Sequence, residues 1–160
     1  MPANGIVQGM RPIIGYNYGA GESSRVKSTI RYSLLTAAGL MLTGTILALA
    51  LPKQILSLFD ADAALMSAGV TALRIISLGF LVSSVGLIYS GVFEAIGNGR
   101  NSLIISLLRQ FVITIPLSFI LTRFFGPTGV WISFPVGELC ASAAAFCLLK
   151  KYQNGAFSPL

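Results

Sequence analysis

The sequence predicts an all-α, polytopic bundle of membrane-spanning helices. Four apolar stretches lie at 33–51, 75–93, 103–121 and 130–149, and each is close to the roughly 20 residues that a helix needs to cross a bilayer. Charged residues make up only 10% of the chain, against about 25% in soluble domains. The stretches do not alternate apolar and polar residues, so helices, which satisfy their own backbone hydrogen bonds, are the predicted spanning element.

One partial and four full spans are expected along the chain. Residues 1–20 form an apolar segment with several polar interruptions, which we interpret as part of a membrane helix. A basic loop at 21–31 and a stop at Pro52 bound the first full span. A short amphipathic connection covers 53–63, and glycine-containing turns lie at 97–100 and 125–129. The full spans are therefore expected at about 31–52, 64–96, 101–123 and 128–151.

The distribution of lysine and arginine predicts the orientation of the chain in the membrane. With these spans, one side holds six basic residues and the other holds two, Lys53 and Arg123. Positively charged loops stay in the cytoplasm, so we expect a multi-pass protein of the cell membrane with a cytoplasmic C-terminus. The net charge of +6 is accordingly a topology signal, and nucleic acid is not an expected partner. The six residues are Arg25, Lys27, Arg31, Arg100, Lys150 and Lys151.

Arg109 and Glu138 are charged residues inside two consecutive, antiparallel spans. Arg109 lies 17 residues before Gly126 and Glu138 lies 12 after it, so their depths differ by about 7 Å. Pairing would relieve much of the cost of burying either charge alone. The pair is either a structural salt bridge that holds the hairpin together or a polar site that faces a cavity or an ion path.

Three further features carry expectations. Glu94 is predicted to be an interfacial carboxylate near Arg100, with a cation or proton contact at the inner mouth as the alternative. Arg74 is expected to snorkel toward an aspartate, Asp60 or Asp62. Two prolines inside spans are expected to kink their helices; they are Pro116 and Pro135.

Enzymatic and metal chemistry find little support in the sequence. Histidine is absent, the glycines near residue 97 lack a Walker GK[ST] string, and no GxSxG elbow occurs. Cys140 and Cys147 are seven residues apart on one predicted helix, about 10.5 Å along its axis, which is too far for a disulfide. We therefore expect no enzyme activity, no catalytic residue, no metal site and no organic cofactor.

Several motifs occur in a recognisable order. They are GIVQGMRPIIGYNYGAG at 5–21, FEAIGNGR at 93–100, SLLRQ at 106–110 followed by IPL at 115–117, and GVW at 129–131 followed by FPVGE at 134–138. Together they resemble the second half of the multidrug and toxic compound extrusion (MATE) family, and the resemblance covers nearly the whole chain. Arg11 stands where that family usually has glutamine, and glutamine is also common at the position of Glu94.

The resemblance implies a twelve-helix transporter of two six-helix lobes around a central cavity. Such proteins export organic, often cationic, compounds in exchange for Na⁺ or H⁺. Residues 1–160 would then be a partial C-terminal lobe, from the end of the eighth helix through the twelfth. The candidate transport residues are Gln8, Tyr16, Asn17, Glu94, Arg109 and Glu138.

The expected partners are the lipid bilayer, small organic substrates, and either an N-terminal lobe or another copy of the chain. Since alternating access needs two bundles that move around a site, the chain is expected to be incomplete alone. Two other functions stay open at this point. One is a lipid-linked saccharide flippase of the same superfamily, and the other is a non-transporting membrane scaffold or fragment.

Overall fold

A computed structural model describes residues 2–59 and 62–156, and every regular element in these ranges is a helix. The order along the chain combines long helices with two short segments at the bends. The elements are α1 (Pro2–Gly19), α2 (Ser23–Ala50), α3 (Pro52–Ser57), α4 (Ala63–Ser77), α5 (Phe80–Ala95), α6 (Gly99–Leu107), the π-helical segment π1 (Leu108–Thr114), α7 (Ile115–Phe125) and α8 (Pro127–Ala156).

The predicted helix bundle is confirmed, with one span that differs from the expectation. Three stretches are long and apolar enough to cross a membrane without a break: Ser23–Ala50, Gly99–Phe125 and Pro127–Tyr152. The predicted span at 64–96 is instead two helices, Leu65–Ser77 and Phe80–Ala95, that meet at an angle of 51°. The protein is therefore a multi-pass membrane protein in which one crossing is bent.

The bend lies where α4 and α5 meet α8. A β-carbon added at Gly79 would stand 3.0 Å from the Pro135 α-carbon, so the two backbones approach closely there. Glycine permits that approach because it has no side chain. Pro135 itself lies inside α8, which continues through it as one helix.

The predicted turns form around residues suited to them. Gly97 and Gly126 adopt φ angles of 77° and 57°, in the left-handed region that favours glycine. Asp62 caps α4, because its carboxylate accepts a hydrogen bond of 2.7 Å from the Leu65 backbone N–H. The expected pair of Arg74 with Asp62 does not form within the described ranges, and Asp60 lies outside them.

Helix α5 is the centre of the bundle and packs against α1, α2, α6 and α8. Its buried face carries Ile88, Val92 and Phe93. Helix α1 comes close to it at Gly91, where an added β-carbon would stand 2.6 Å from Val7 Cγ1. This close crossing of α1 over α5 decides which polar residues of the two helices meet.

The other kink predicted from proline takes the form of a change in helix type. Pro116 lies in the first turn of α7, directly after the seven-residue segment π1. Because proline has no N–H and its ring crowds the preceding turn, it disrupts the regular α-helical hydrogen bonding. The Thr114 hydroxyl donates a hydrogen bond of 2.6 Å to the carbonyl of Arg109, five residues earlier. Segments of π-helix occur frequently at functional sites, and this one carries Arg109.

Candidate functional site

Arg109 and Glu138 form the ion pair that the sequence predicts. Arg109 Nη1 in π1 lies 3.6 Å from Glu138 Oε1 in α8, which agrees with their matched depths. Both side chains are mostly buried, with exposed fractions of 31% and 23%. Within the described part of the chain, Glu138 Oε2 is buried and has no hydrogen-bond partner. One carboxylate oxygen of the pair is therefore available to a proton or a cation.

The backbone around the pair is held by a contact between π1 and α8. Gly137, next to Glu138, lies so close to Thr114 that an added β-carbon would overlap its hydroxyl. Thr114 in turn hydrogen-bonds the carbonyl of Arg109. Gly137 and Thr114 thus connect the segments that present the two charges, and they set the spacing of the pair.

A second ion pair joins α1 to α5. Arg11 pairs with Glu94, whose other oxygen accepts a hydrogen bond of 2.8 Å from the Ser102 hydroxyl of α6. Ser102 also lies 2.7 Å from the Ser90 hydroxyl. Glu94 is therefore the point at which three helices are linked by polar contacts.

The expectation that Glu94 stays near Arg100 is wrong in its partner. Arg100 is exposed at the start of α6, beyond the left-handed turn at Gly97, and it is in no ion pair among the described residues. The close approach of α1 at Gly91 instead places Arg11 beside Glu94. Arg11, the residue at which the chain departs from its resemblance, is thus part of the site.

The two pairs meet in one polar groove of about 160 Å³. Arg11, Glu94 and Arg109 all line it, and Glu138 extends it through its contact with Arg109. Two arginines and two glutamates give this groove a balanced charge. Either carboxylate can release its arginine when it binds a proton or a cation, so the arrangement is suited to exchange of positive charge. The remaining polar groups of the lining are Asn4, Ser90 and Ser106.

The other predicted residues do not all lie in this groove. Asn17 is buried, and its amide donates a hydrogen bond of 2.8 Å to the Ile13 carbonyl one turn earlier, so it stabilises α1 locally. Gln8 and Tyr16 are exposed on α1, and neither lines the groove. The serines at 90 and 102 were missed by sequence reasoning, although Ser90 stands one helical turn before Glu94 on the same face of α5.

Comparison with known proteins identifies the family. The MatE family model matches residues 1–120. The multidrug export protein MepA of Staphylococcus saprophyticus is 28% identical over 141 residues, covering 88% of this chain and 31% of that protein. The MepA of Staphylococcus aureus strain bovine RF122 / ET3-1 is 30% identical with the same coverage.

Solved structures agree with this assignment. The MATE multidrug transporter DinF-BH, solved in complex with rhodamine 6G, is 34% identical and superposes with a TM-score of 0.88 over 98% of this chain. An inward-facing MATE family transporter of the MOP superfamily, 21% identical, has the same fold with a TM-score of 0.92.

These relatives are transporters rather than enzymes, and this chain spans about a third of their length, 31% of the S. saprophyticus protein and 35% of DinF-BH. The match extends from α1 into α7 and includes Arg11, Glu94 and Arg109 of the charged groove. The chain therefore belongs to the MatE family of membrane transporters.

Proposed function

We propose that this chain is the second-lobe part of a multidrug efflux antiporter, which exports small organic compounds in exchange for Na⁺ or H⁺. The relatives named as multidrug transporters support the export of drugs. The groove with its two arginine–glutamate pairs supports the exchange of charge. Charged side chains inside membrane helices are costly and mark ion and substrate paths.

The observation that carries the proposal is the unsatisfied oxygen of Glu138. A buried carboxylate normally uses all of its acceptor capacity, yet Oε2 has no partner in the described structure. In the proposed cycle a proton or Na⁺ binds this carboxylate and weakens its attraction to Arg109. The freed charge of Arg109 then lines the groove next to Glu94, so ion binding changes the electrostatics that a cationic substrate meets.

The balanced charge of the groove favours drug export over the flippase alternative. A carrier of anionic, lipid-linked saccharides needs an excess of positive charge in its cavity. Here each arginine is matched by a glutamate, Arg11 by Glu94 and Arg109 by Glu138. We propose further that the C-terminus is cytoplasmic, as the distribution of basic residues indicates.

An efflux assay tests this function directly. The chain is expressed alone and also as one polypeptide with the first two thirds of S. saprophyticus MepA, and cells loaded with the dye rhodamine 6G are followed by fluorescence. We expect dye efflux from the joined polypeptide and little from the chain alone, because alternating access needs both bundles. A Na⁺ gradient at constant pH and a pH gradient without Na⁺ separate the two coupling ions. A joined polypeptide that reaches the membrane but leaves dye retention at the empty-vector level would contradict the proposal.

A further inference from the structure

A shallow groove on the outer surface of α2 combines basic and apolar side chains. It has a volume of about 280 Å³ and is separate from the charged groove described above. Lys27 and Arg31 stand at one end of it, and apolar side chains follow toward the membrane interior. The lining consists of Lys27, Ile30, Arg31, Leu34 and Leu35.

The spacing along α2 fits the change from a lipid headgroup to its acyl chains. Lys27 and Arg31 are four residues apart, so they lie on the same face of the helix. Leu34 and Leu35 follow on this side, and Leu35 is about 12 Å from Lys27 along the helix axis. A phosphate held by the two basic residues would therefore have its acyl chains beside the leucines.

The two cations are available for a ligand. Both side chains are exposed, and neither takes part in an ion pair within the part of the chain that the structure describes. The distribution of basic residues places them on the cytoplasmic side, where the leaflet carries anionic lipids. The groove thus presents positive charge at the depth of negatively charged headgroups.

We propose that this groove binds an anionic phospholipid of the cytoplasmic leaflet. Lys27 and Arg31 hold the headgroup phosphate, and one acyl chain lies along Ile30, Leu34 and Leu35. The binding site is independent of the transport function and does not require the charged groove. Its chemistry is that of a basic clamp over an apolar channel, which a zwitterionic lipid would satisfy less well because its headgroup carries its own cation.

Lipid retention measured by native mass spectrometry tests the proposal. The full chain is purified in detergent and incubated with an equimolar mixture of phosphatidylglycerol and phosphatidylcholine. Wild-type protein should retain phosphatidylglycerol preferentially. The double variant Lys27→Gln/Arg31→Gln should lose roughly thirtyfold in phosphatidylglycerol retention, the loss expected when two surface cations are removed. Both residues are exposed, so the variant should keep the wild-type melting temperature.

A matched control separates this site from general surface charge. Lys150→Gln/Lys151→Gln removes the same charge on the same expected membrane face but away from the groove, and it should retain phosphatidylglycerol as the wild type does. Equal loss in both double variants, or retained selectivity in Lys27→Gln/Arg31→Gln, would overturn the assignment. Glycerol phosphate, which has a headgroup but no acyl chains, should fail to compete, and efficient competition by it would show a free-phosphate site instead of a lipid site.

Discussion

Gly137 lies against Thr114, so closely that a β-carbon at position 137 would overlap the Thr114 hydroxyl. This contact joins α8 to the π-helical segment beside the Arg109–Glu138 pair. Its position explains why the pair is held 3.6 Å apart instead of closing to a direct hydrogen bond. The packing of one glycine therefore governs the geometry of the most buried charges in the site.

Gly137→Ala should destabilise the protein by about 1 to 3 kcal/mol, because the added methyl group over-packs the contact. Thr114→Ala removes the hydroxyl that the methyl would meet, so Gly137→Ala/Thr114→Ala should be more stable than Gly137→Ala alone. Thermal unfolding in detergent measures both. If the second substitution makes the first worse by its full separate cost, the two residues are not in contact.

Gly129 provides a prediction with an internal control. An added β-carbon there would overlap the Leu121 backbone, which cannot move aside as a side chain can. Gly39 in α2 has no atom within 4 Å of the same added carbon. Gly129→Ala should therefore lower the melting temperature strongly, while Gly39→Ala should leave it unchanged or raise it, since alanine favours helix by about 1 kcal/mol. Equal effects at the two positions would contradict the close packing of α7 on α8.

The Arg11–Glu94 pair should show measurable coupling between α1 and α5. Both side chains are partly exposed, at 43% and 36%, so we expect a coupling free energy of about 1 kcal/mol rather than the larger value of a buried pair. A double-mutant cycle with Arg11→Gln and Glu94→Gln measures it by thermal unfolding. Arg100→Gln serves as the control, and a cycle of Glu94→Gln with Arg100→Gln should be additive. Coupling to Arg100 in place of Arg11 would show that the sequence-based expectation was correct after all.

The Arg109–Glu138 pair should be more costly to break than to remove. Glu138→Gln leaves Arg109 mostly buried without its partner and should cost about 3 kcal/mol. Arg109→Met/Glu138→Gln replaces both charges by uncharged groups of similar size and should recover most of that loss. Melting temperatures in detergent give the comparison. A double variant that is less stable than the single one would show that the charges themselves hold the hairpin together.

Much of this fold can be read from the sequence because the bilayer imposes simple rules. The apolar stretches, the stop at Pro52 and the left-handed glycines 97 and 126 predict the helices and their turns. The Arg109–Glu138 pair follows as well, since two residues at equal depth on neighbouring antiparallel helices must meet. These features depend only on distances along the chain.

The remaining features depend on contacts between segments that are distant in sequence. The 51° bend between α4 and α5 lies where Gly79 meets Pro135 of α8, and the local sequence at 78–79 does not reveal it. The Arg11–Glu94 pair depends on where α1 crosses α5. Pro116 indicated that the helix would be disturbed, but the choice of a π-helical register also involves the Thr114 hydroxyl.

The most direct test of the central claim compares transport in pair variants that fold equally well. Efflux of rhodamine 6G is measured for the polypeptide joined to the MepA segment, as wild type and as Arg109→Met/Glu138→Gln. If the pair handles the exchanged ion, the double variant should keep the wild-type melting temperature and lose ion-driven efflux by at least about tenfold, equivalent to about 1.4 kcal/mol in the rate barrier. Efflux at the wild-type rate from this stable double variant would show that the pair is only a structural link between π1 and α8.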